Sequence, residues 1–334
     1  MILKKFQPAI VALLCLLVPA FTFSPGARAA EPAGPLSQSN RYPLMLMVMT
    51  PVPRSPVLPE ERFRVRLKTD YTSVHIDKES QDFELLTDME IGAVTLEGEA
   101  RIGERLSLGF SLPFVSYNSG FLDGFLEDYH ELGNFPEYGR SLRPKNEFAC
   151  VVKKDGETWF EADQHGLHPA DARLDLTYAF PAGERFRSAL LASLKLPVGD
   201  EDKGFGSGNW DAGLTLLSRF SYRSLAFYLN PGFIIPRDPE TQGADIRYRT
   251  MATVFAGLEY VHSPAWSFMA QLNTFTSPLK DTGISTLDDP SVELALGFIR
   301  SWGRNKASFS FCEDLSGPAP DFTVHVGVET GFDL

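Results

Sequence analysis

After its first thirty residues this sequence contains no long uninterrupted apolar run. A helix needs about 20 apolar residues to cross a bilayer, so a transmembrane helix is excluded there. The chain therefore either folds in water or crosses a membrane as a closed barrel. Only helices and closed barrels satisfy every backbone polar group in lipid. Basic charge is scarce as well: 31 Lys and Arg face 43 Asp and Glu, a net of −12. That balance argues against nucleic acid and against an anionic surface as partners. Of three cysteines, only Cys150 and Cys312 lie outside the N-terminal leader. Two thiols in an oxidising compartment often pair, which leaves a Cys150–Cys312 disulfide and two free thiols as open alternatives. Phenylalanine is plentiful: 26 Phe and ten Tyr are many for a water-soluble domain and suit a surface that faces lipid.

The leader has three parts. Lys4 and Lys5 form a basic start, Ala9 to Ala20 is apolar apart from Pro19, and Ala27-Arg28-Ala29 offers small residues where a signal peptidase reads. This pattern predicts a secretory signal peptide over residues 1–29. The apolar part is too short for an anchoring helix. Cys15 follows Leu14 in mid-run, where a lipoprotein needs a small residue. Lys4, Lys5 and Arg28 leave with the leader and no acid does, so the exported chain carries about −15.

The informative signal is a period of two. In Ala170 to Phe180 the apolar set Ala170, Ala172, Leu174, Leu176, Tyr178 and Phe180 alternates with Asp171, Arg173, Asp175 and Thr177. Phe63, Val65 and Leu67 alternate with Arg64, Arg66 and Lys68; Leu96, Ala100 and Ile102 with Glu97, Glu99 and Arg101. Similar faces recur near 106–114, 190–196, 248–260, 266–273, 292–298 and 322–332, with less regular strands about 209–219, 224–235 and 306–313. Short turns at 103–105, 182–185, 222–223, 263–265 and 303–305 separate longer links near 118–169, 200–208, 237–245, 278–289 and 314–320. Outer-membrane barrels keep short turns in the periplasm and long loops outside. The expected fold is all-β: a transmembrane antiparallel up-and-down barrel of about twelve strands over residues 61–334. A Pro-rich N-terminal segment, 30–60, is placed on the periplasmic side, either entering the lumen or lying beneath it. A soluble β-sandwich or lipocalin-like barrel would show the same alternation with the apolar face turned to a core. The alternating link lengths, the strand count and aromatics at strand ends (Phe114, Tyr178, Trp266, Trp302) favour the membrane.

Residues 118–146 break the period. Phe121, Phe125, Tyr129 and Leu132 share a helical face, with Asp123, Glu127, Asp128 and Glu131 opposite, and Gly133 is a natural stop. This predicts a short amphipathic loop helix. Phe121, Asp123, Phe125, Glu127, Asp128, Tyr129 and His130 are its candidate gating residues. Asp128, His130 and Glu131 also raise acid/base or metal chemistry, set against a solvated acidic face with one incidental His; no cofactor and no metal is expected.

The inward set carries both signs: Arg64, Arg66, Lys68, Arg101, Arg173, Lys195, Arg247 and Arg249 against Asp70, Glu97, Glu99, Asp171, Asp175, Glu259, Glu293 and Glu329. It predicts either a hydrated pore lined by charge or a salt-bridged filling. Cys312 falls on this face by parity with Ser308 and Ser310, so a bond to Cys150 would pin the long loop inside the wall. Asp200 to Gly204 lacks the later acid of a calcium loop, and Gly204, Gly206 and Gly208 have no Lys-Ser or Lys-Thr after them for a phosphate loop. Lipid-hydrolase chemistry needs Ser and His facing outward near the outer rim; Ser73 and His75, with Asp77 beyond, are the one such grouping.

Gly120-Phe121-Leu122-Asp123-Gly124-Phe125-Leu126-Glu127-Asp128-Tyr129-His130, followed by Gly139-Arg140, Pro144 and Asn146, resembles the signature of a family of proteobacterial outer-membrane barrels known by its domain and not by an activity. The resemblance runs from Asn40-Arg41-Tyr42-Pro43-Leu44 to the end, through Ala319-Pro320-Asp321-Phe322, and implies location and fold only. Lys195-Leu196-Pro197-Val198-Gly199-Asp200 with Gly206-Ser207-Gly208 is also similar to a strand and loop of barrels proposed to carry aromatic compounds. The ending Phe332-Asp333-Leu334 departs from the terminal aromatic of many such barrels. The expectations are a monomer in the cell outer membrane of a Gram-negative cell, in contact with lipid and lipopolysaccharide and with the barrel assembly machinery during biogenesis. Its function is expected to be a passive channel or transporter for small, hydrophobic or aromatic, molecules; a lipid-modifying enzyme or a structural barrel with a filled lumen are the alternatives.

Overall fold

The computed structural model describes residues 31–122, 124, 144–181, 183, 185–240, 246–316 and 319–334; the expected signal peptide lies outside them. Strands β1 (Phe63–Glu79), β2 (Phe83–Ile102) and β3 (Leu106–Asn118) are followed by three short strands, β4 (Ala149–Lys154), β5 (Glu157–Glu161) and β6 (His165–Pro169). Then come β7 (Ala172–Ala179), β8 (Phe186–Leu196), β9 (Asp211–Tyr222), β10 (Leu225–Ile235), β11 (Met251–Ser263), β12 (Trp266–Phe275), β13 (Ser291–Trp302), β14 (Asn305–Asp314) and β15 (Phe322–Phe332). Each long strand pairs antiparallel with the next, β3 pairs β7 across the inserted pieces, and β1 pairs β15. The result is a closed barrel of twelve strands, with no open edge in its wall. Among the described residues no helix is long and apolar enough to cross a membrane.

Exposure decides which face points where. Leu67 and Leu96 are 44% and 46% exposed, whereas the adjacent Lys68 and Glu97 are 7% and 5% exposed. Apolar side chains point out of the barrel and charges point in. A soluble sandwich or lipocalin-like barrel needs the reverse, and that reading is set aside.

Two expectations are corrected. First, link lengths do not alternate strictly. β1 and β2 run to 17 and 20 residues and are joined at the long-loop end by a tight turn, in which Ser80 and Phe83 exchange hydrogen bonds. The upper part of β2, Phe83 to Asp88, outgrows β3 and pairs β4 instead. Second, β11 begins at Met251, so Arg247 and Arg249 belong to the preceding link and not to the lumen wall. The Arg249 guanidinium donates to the carbonyls of Ser277 and Asp288 in the neighbouring loop. Of the two placements left open for the N-terminal segment, residues 31–62 take the first and run inside the barrel, against inward residues such as Glu259, Gln271 and Asp211.

Cys150 and Cys312 are free and buried. Cys150 sits on β4 opposite Thr87 of β2, and Cys312 on β14 between Ala295 and Thr323. Strands β15, β1 and β2 separate them in the wall. At about 4.8 Å per strand step this is far beyond the Cα spacing a disulfide bridges. Both thiols are therefore expected to label after denaturation without reductant; protection of both would show a bond and contradict this arrangement.

Candidate functional site

The lumen is the site, and the chain's own N-terminal segment occupies it. Residues 31–42 climb from the short-turn end to the long-loop end, residues 43–48 turn, and residues 49–62 descend to β1. Pro43–Leu46 forms a single helical turn, α1, at the top. A segment this rich in proline cannot pair fully in a ladder, because each proline lacks an N–H and fixes φ. Wall side chains meet its backbone instead.

On the climbing arm, Glu259 of β11 accepts from the N–H groups of Ala33 (2.8 Å) and Gly34 (3.1 Å). Gln271 of β12 accepts from Leu36 N–H and donates to Leu36 C=O, at 3.1 and 3.3 Å. Gln38 donates to Glu293 (3.3 Å), and Arg41 forks onto Asp70 at 2.7 and 3.1 Å while also donating to Thr95. On the descending arm, Met49 N–H donates to Asp211 (2.6 Å), Asn273 and Asn230 donate to the carbonyls of Pro51 and Arg54, and Arg54 bridges Glu97 (3.1 Å) and Asp175 (3.4 Å).

The top of the hairpin is apolar. Tyr42 and Leu44 to Met49 are buried and pack with Met89, Ile91, Tyr117, Phe160, Phe205 and Phe275 from the upper wall and loops. Lys195 ties this turn to the wall. Its ammonium reaches Asp171 (2.9 Å), Asp211 (3.2 Å), the Ser207 hydroxyl (2.6 Å) and the Met47 carbonyl (2.9 Å). Asp171 also accepts from the N–H groups of Val198, Gly199 and Ser207. The Lys-Leu-Pro-Val-Gly-Asp stretch and its later Gly-Ser-Gly thus form one knot that folds the link over the lumen. Gly199 has no alternative there, since a Cβ would stand 2.0 Å from the Phe205 carbonyl oxygen.

Below the apolar turn a cavity of about 550 Å³ opens toward the short-turn end between the two arms. Its walls carry both signs. Arg66 and Lys68 each reach Glu97 at 2.6 Å, Arg64 lies 3.4 Å from Glu329 and 3.6 Å from Glu99, and Lys306 lies 3.5 Å from Glu329. Arg66 also pairs Glu329, and Arg173 pairs Asp175 at 3.1 Å. Of the inward residues expected from sequence, these together with Asp70, Asp171, Lys195, Glu259 and Glu293 meet in the lumen. Arg101 sits at the short-turn end of β2, beside Gly103. Sequence reasoning missed Gln38, Asn40, Arg41 and Arg54, which carry much of the side-chain contact between the N-terminal segment and the wall. Their signal was faint: isolated polar side chains in a stretch that reads as a linker.

Phe121 is 70% exposed, and the N–H groups of Phe121 and Leu122 donate to Glu90, which shares the outward face of β2 with Leu96. The long loop therefore starts on the outer wall. The other candidate gating residues, Asp123, Phe125, Glu127, Asp128, Tyr129 and His130, lie outside the described residues. Ser73 and His75 are buried on the outward face of β1, and it is Asp88 of β2, not Asp77, that stands 3.2 Å from the His75 ring.

Residues 12–332 match the family described as protein of unknown function, DUF3187. The chain belongs to that family. Among curated proteins none matches this DUF3187 member in sequence. Among solved structures it is similar to an outer-membrane channel from Pseudomonas putida F1, with 13% identity and a TM-score of 0.52 over 82% of this chain and 96% of that one. It is also similar to the translocator domain of the autotransporter NalP from Neisseria meningitidis (11% identity, TM-score 0.46, 82% and 90% covered). A third is the toluene transporter TbuX from Ralstonia pickettii (11% identity, TM-score 0.41, 93% and 98% covered). At these identities the likeness to the channel speaks to the barrel fold.

Proposed function

We propose that this DUF3187 protein is an outer-membrane channel for small solutes, closed at rest by its own N-terminal segment. One observation carries the reading. Between the inward wall side chains the lumen is occupied by two arms of the N-terminal segment, which belong to no wall strand, so the space they occupy becomes a passage when they leave. The apolar outward face, the signal-peptide pattern and the short-turn and long-link ends support a monomer set in the outer membrane, with lipid and lipopolysaccharide around it and the barrel assembly machinery inserting it. The charged cavity lining favours polar solutes over hydrocarbons, because an apolar guest would leave those side chains without water in return. A filled structural barrel is the competing reading, favoured by the dense bonding of the arms.

Solute uptake into proteoliposomes separates the two. The full-length protein is expected to pass small polar solutes slowly, and Arg54→Ala to pass them faster by about tenfold, since it frees the descending arm from Glu97 and Asp175. Uptake no better than in empty liposomes for both proteins would retire the channel.

A further inference from the structure

The wall binds the N-terminal segment through its main chain as well as its side chains, and the main-chain part is a chemical description of a ligand. Gln271 engages both the N–H and the C=O of Leu36, as a neighbouring strand would. Glu259 takes two successive N–H groups, Ser310 donates to the Ser37 carbonyl at 2.8 Å, and Asn230 donates to the Arg54 carbonyl at 2.9 Å. The contacts of Gln271, Ser310 and Asn230 read main chain, as strand addition does at a sheet edge, while the convergence of two successive N–H groups on Glu259 marks a local turn at which Gly34 leaves no room for a Cβ. Side chains are recognised as well: Arg41 and Arg54 meet buried carboxylates, Gln38 meets Glu293 and Gln271, and Leu36 sits in an apolar pocket with Tyr228, Phe255 and Met269.

We propose that the lumen is a binding site for extended oligopeptides carrying arginine, and that residues 31–54 occupy it as an internal pseudo-ligand. This names a substrate class for the channel and rests on that reading for passage, though not for binding. A saccharide, hydrocarbon or phosphate ester has no alternating amide donors and acceptors to present to Gln271, Glu259 and Asn230. An extended peptide has them at every residue.

The test uses the full chain, folded first. A specific protease site placed between Glu60 and Glu61, outside every strand, lets the segment be cut after the barrel has formed. A fluorescent peptide of residues 31–54 is then exchanged into the cut protein in detergent and followed by anisotropy. A scrambled peptide that keeps both arginines, Gly34, Leu36, the prolines and the apolar run 42–49 in place and rearranges the other residues is expected to compete within about tenfold of the cognate one. Replacing both arginines by alanine should weaken competition by about a hundredfold, and Gln271→Ala in the wall should weaken both arginine-bearing peptides by a similar factor, about tenfold. Disaccharides and toluene should not compete. Failure of the scrambled peptide to compete, equal displacement by the non-peptide solutes, or no exchange of any labelled peptide would each overturn the proposal. Binding without any conductance of the cut protein would leave the peptide site standing and defeat the channel instead.

Discussion

Deleting residues 31–60 is expected to convert a barrel that is almost always closed into one that conducts continuously in planar bilayers. Each main-chain bond to Glu259, Gln271, Asp211 or Asn230 contributes about 0.5–1.5 kcal/mol net, and charge-assisted ones more. Moving a two-state gate from about 1:99 to 99:1 takes about 5.5 kcal/mol. A handful of these contacts covers that, so the wild type should open about 1% of the time or less and the deletion variant should stay open. The cavity below the turn already connects to the short-turn end, so the apolar turn, the arms and the links packed on that turn stand between it and the other side. A silent bilayer from a deletion variant that still shows the heat-dependent gel mobility of a folded barrel would sink the idea. So would a wild type that conducts as freely as the variant.

The second large effect concerns Lys195. Its side chain is 4% exposed, and its partners Asp171 and Asp211 are 4% and 0% exposed. Lys195→Met removes the one ammonium that faces both carboxylates and also releases the Met47 carbonyl. Breaking a buried ion pair from one side costs about 3–5 kcal/mol because the remaining charge stays buried and uncompensated. The variant should unfold at clearly lower temperature or denaturant than wild type. Adding Asp211→Asn to it should recover part of the loss, since the two residues share one network. Asp211 also holds Met49 N–H, so Lys195→Met should open the channel more often as well as weaken the barrel. A loss below about 1 kcal/mol, with unchanged conductance, would show that the knot is not what fastens the turn.

The period of two settled most of the fold. In Ala172 to Ala179, or Phe63 to Asp70, one face is apolar and one is charged, and a strand has only two faces. A chain with those faces, no spanning helix and links of this length has the closed barrel as its solution in lipid. The number of strands and nearly all the turns followed from the same pattern. Where alternation fades the reading failed. Arg247 and Arg249 continue the period into a link because parity says nothing about where a ladder stops. The turn after Glu79 was invisible because β1 and β2 stay regular beyond the height of their neighbours.

The contents of the lumen were decided only by the tertiary structure. Residues 31–62 carry no period and few apolar runs, so nothing local distinguishes a linker from a plug. Their place depends on partners more than two hundred residues away, such as Glu259, Gln271 and Glu293. With Arg247 and Arg249 removed from the inward set, acids outnumber bases, and buried carboxylates must find donors. Arg41, Arg54 and the backbone N–H groups of the N-terminal segment are those donors. The sequence by itself determined a wall with an apolar outside and a charged inside, because side-chain alternation is a local property of a strand. The closed barrel, by bringing β9, β11, β12 and β13 around one axis, determined which segment those inward charges would hold.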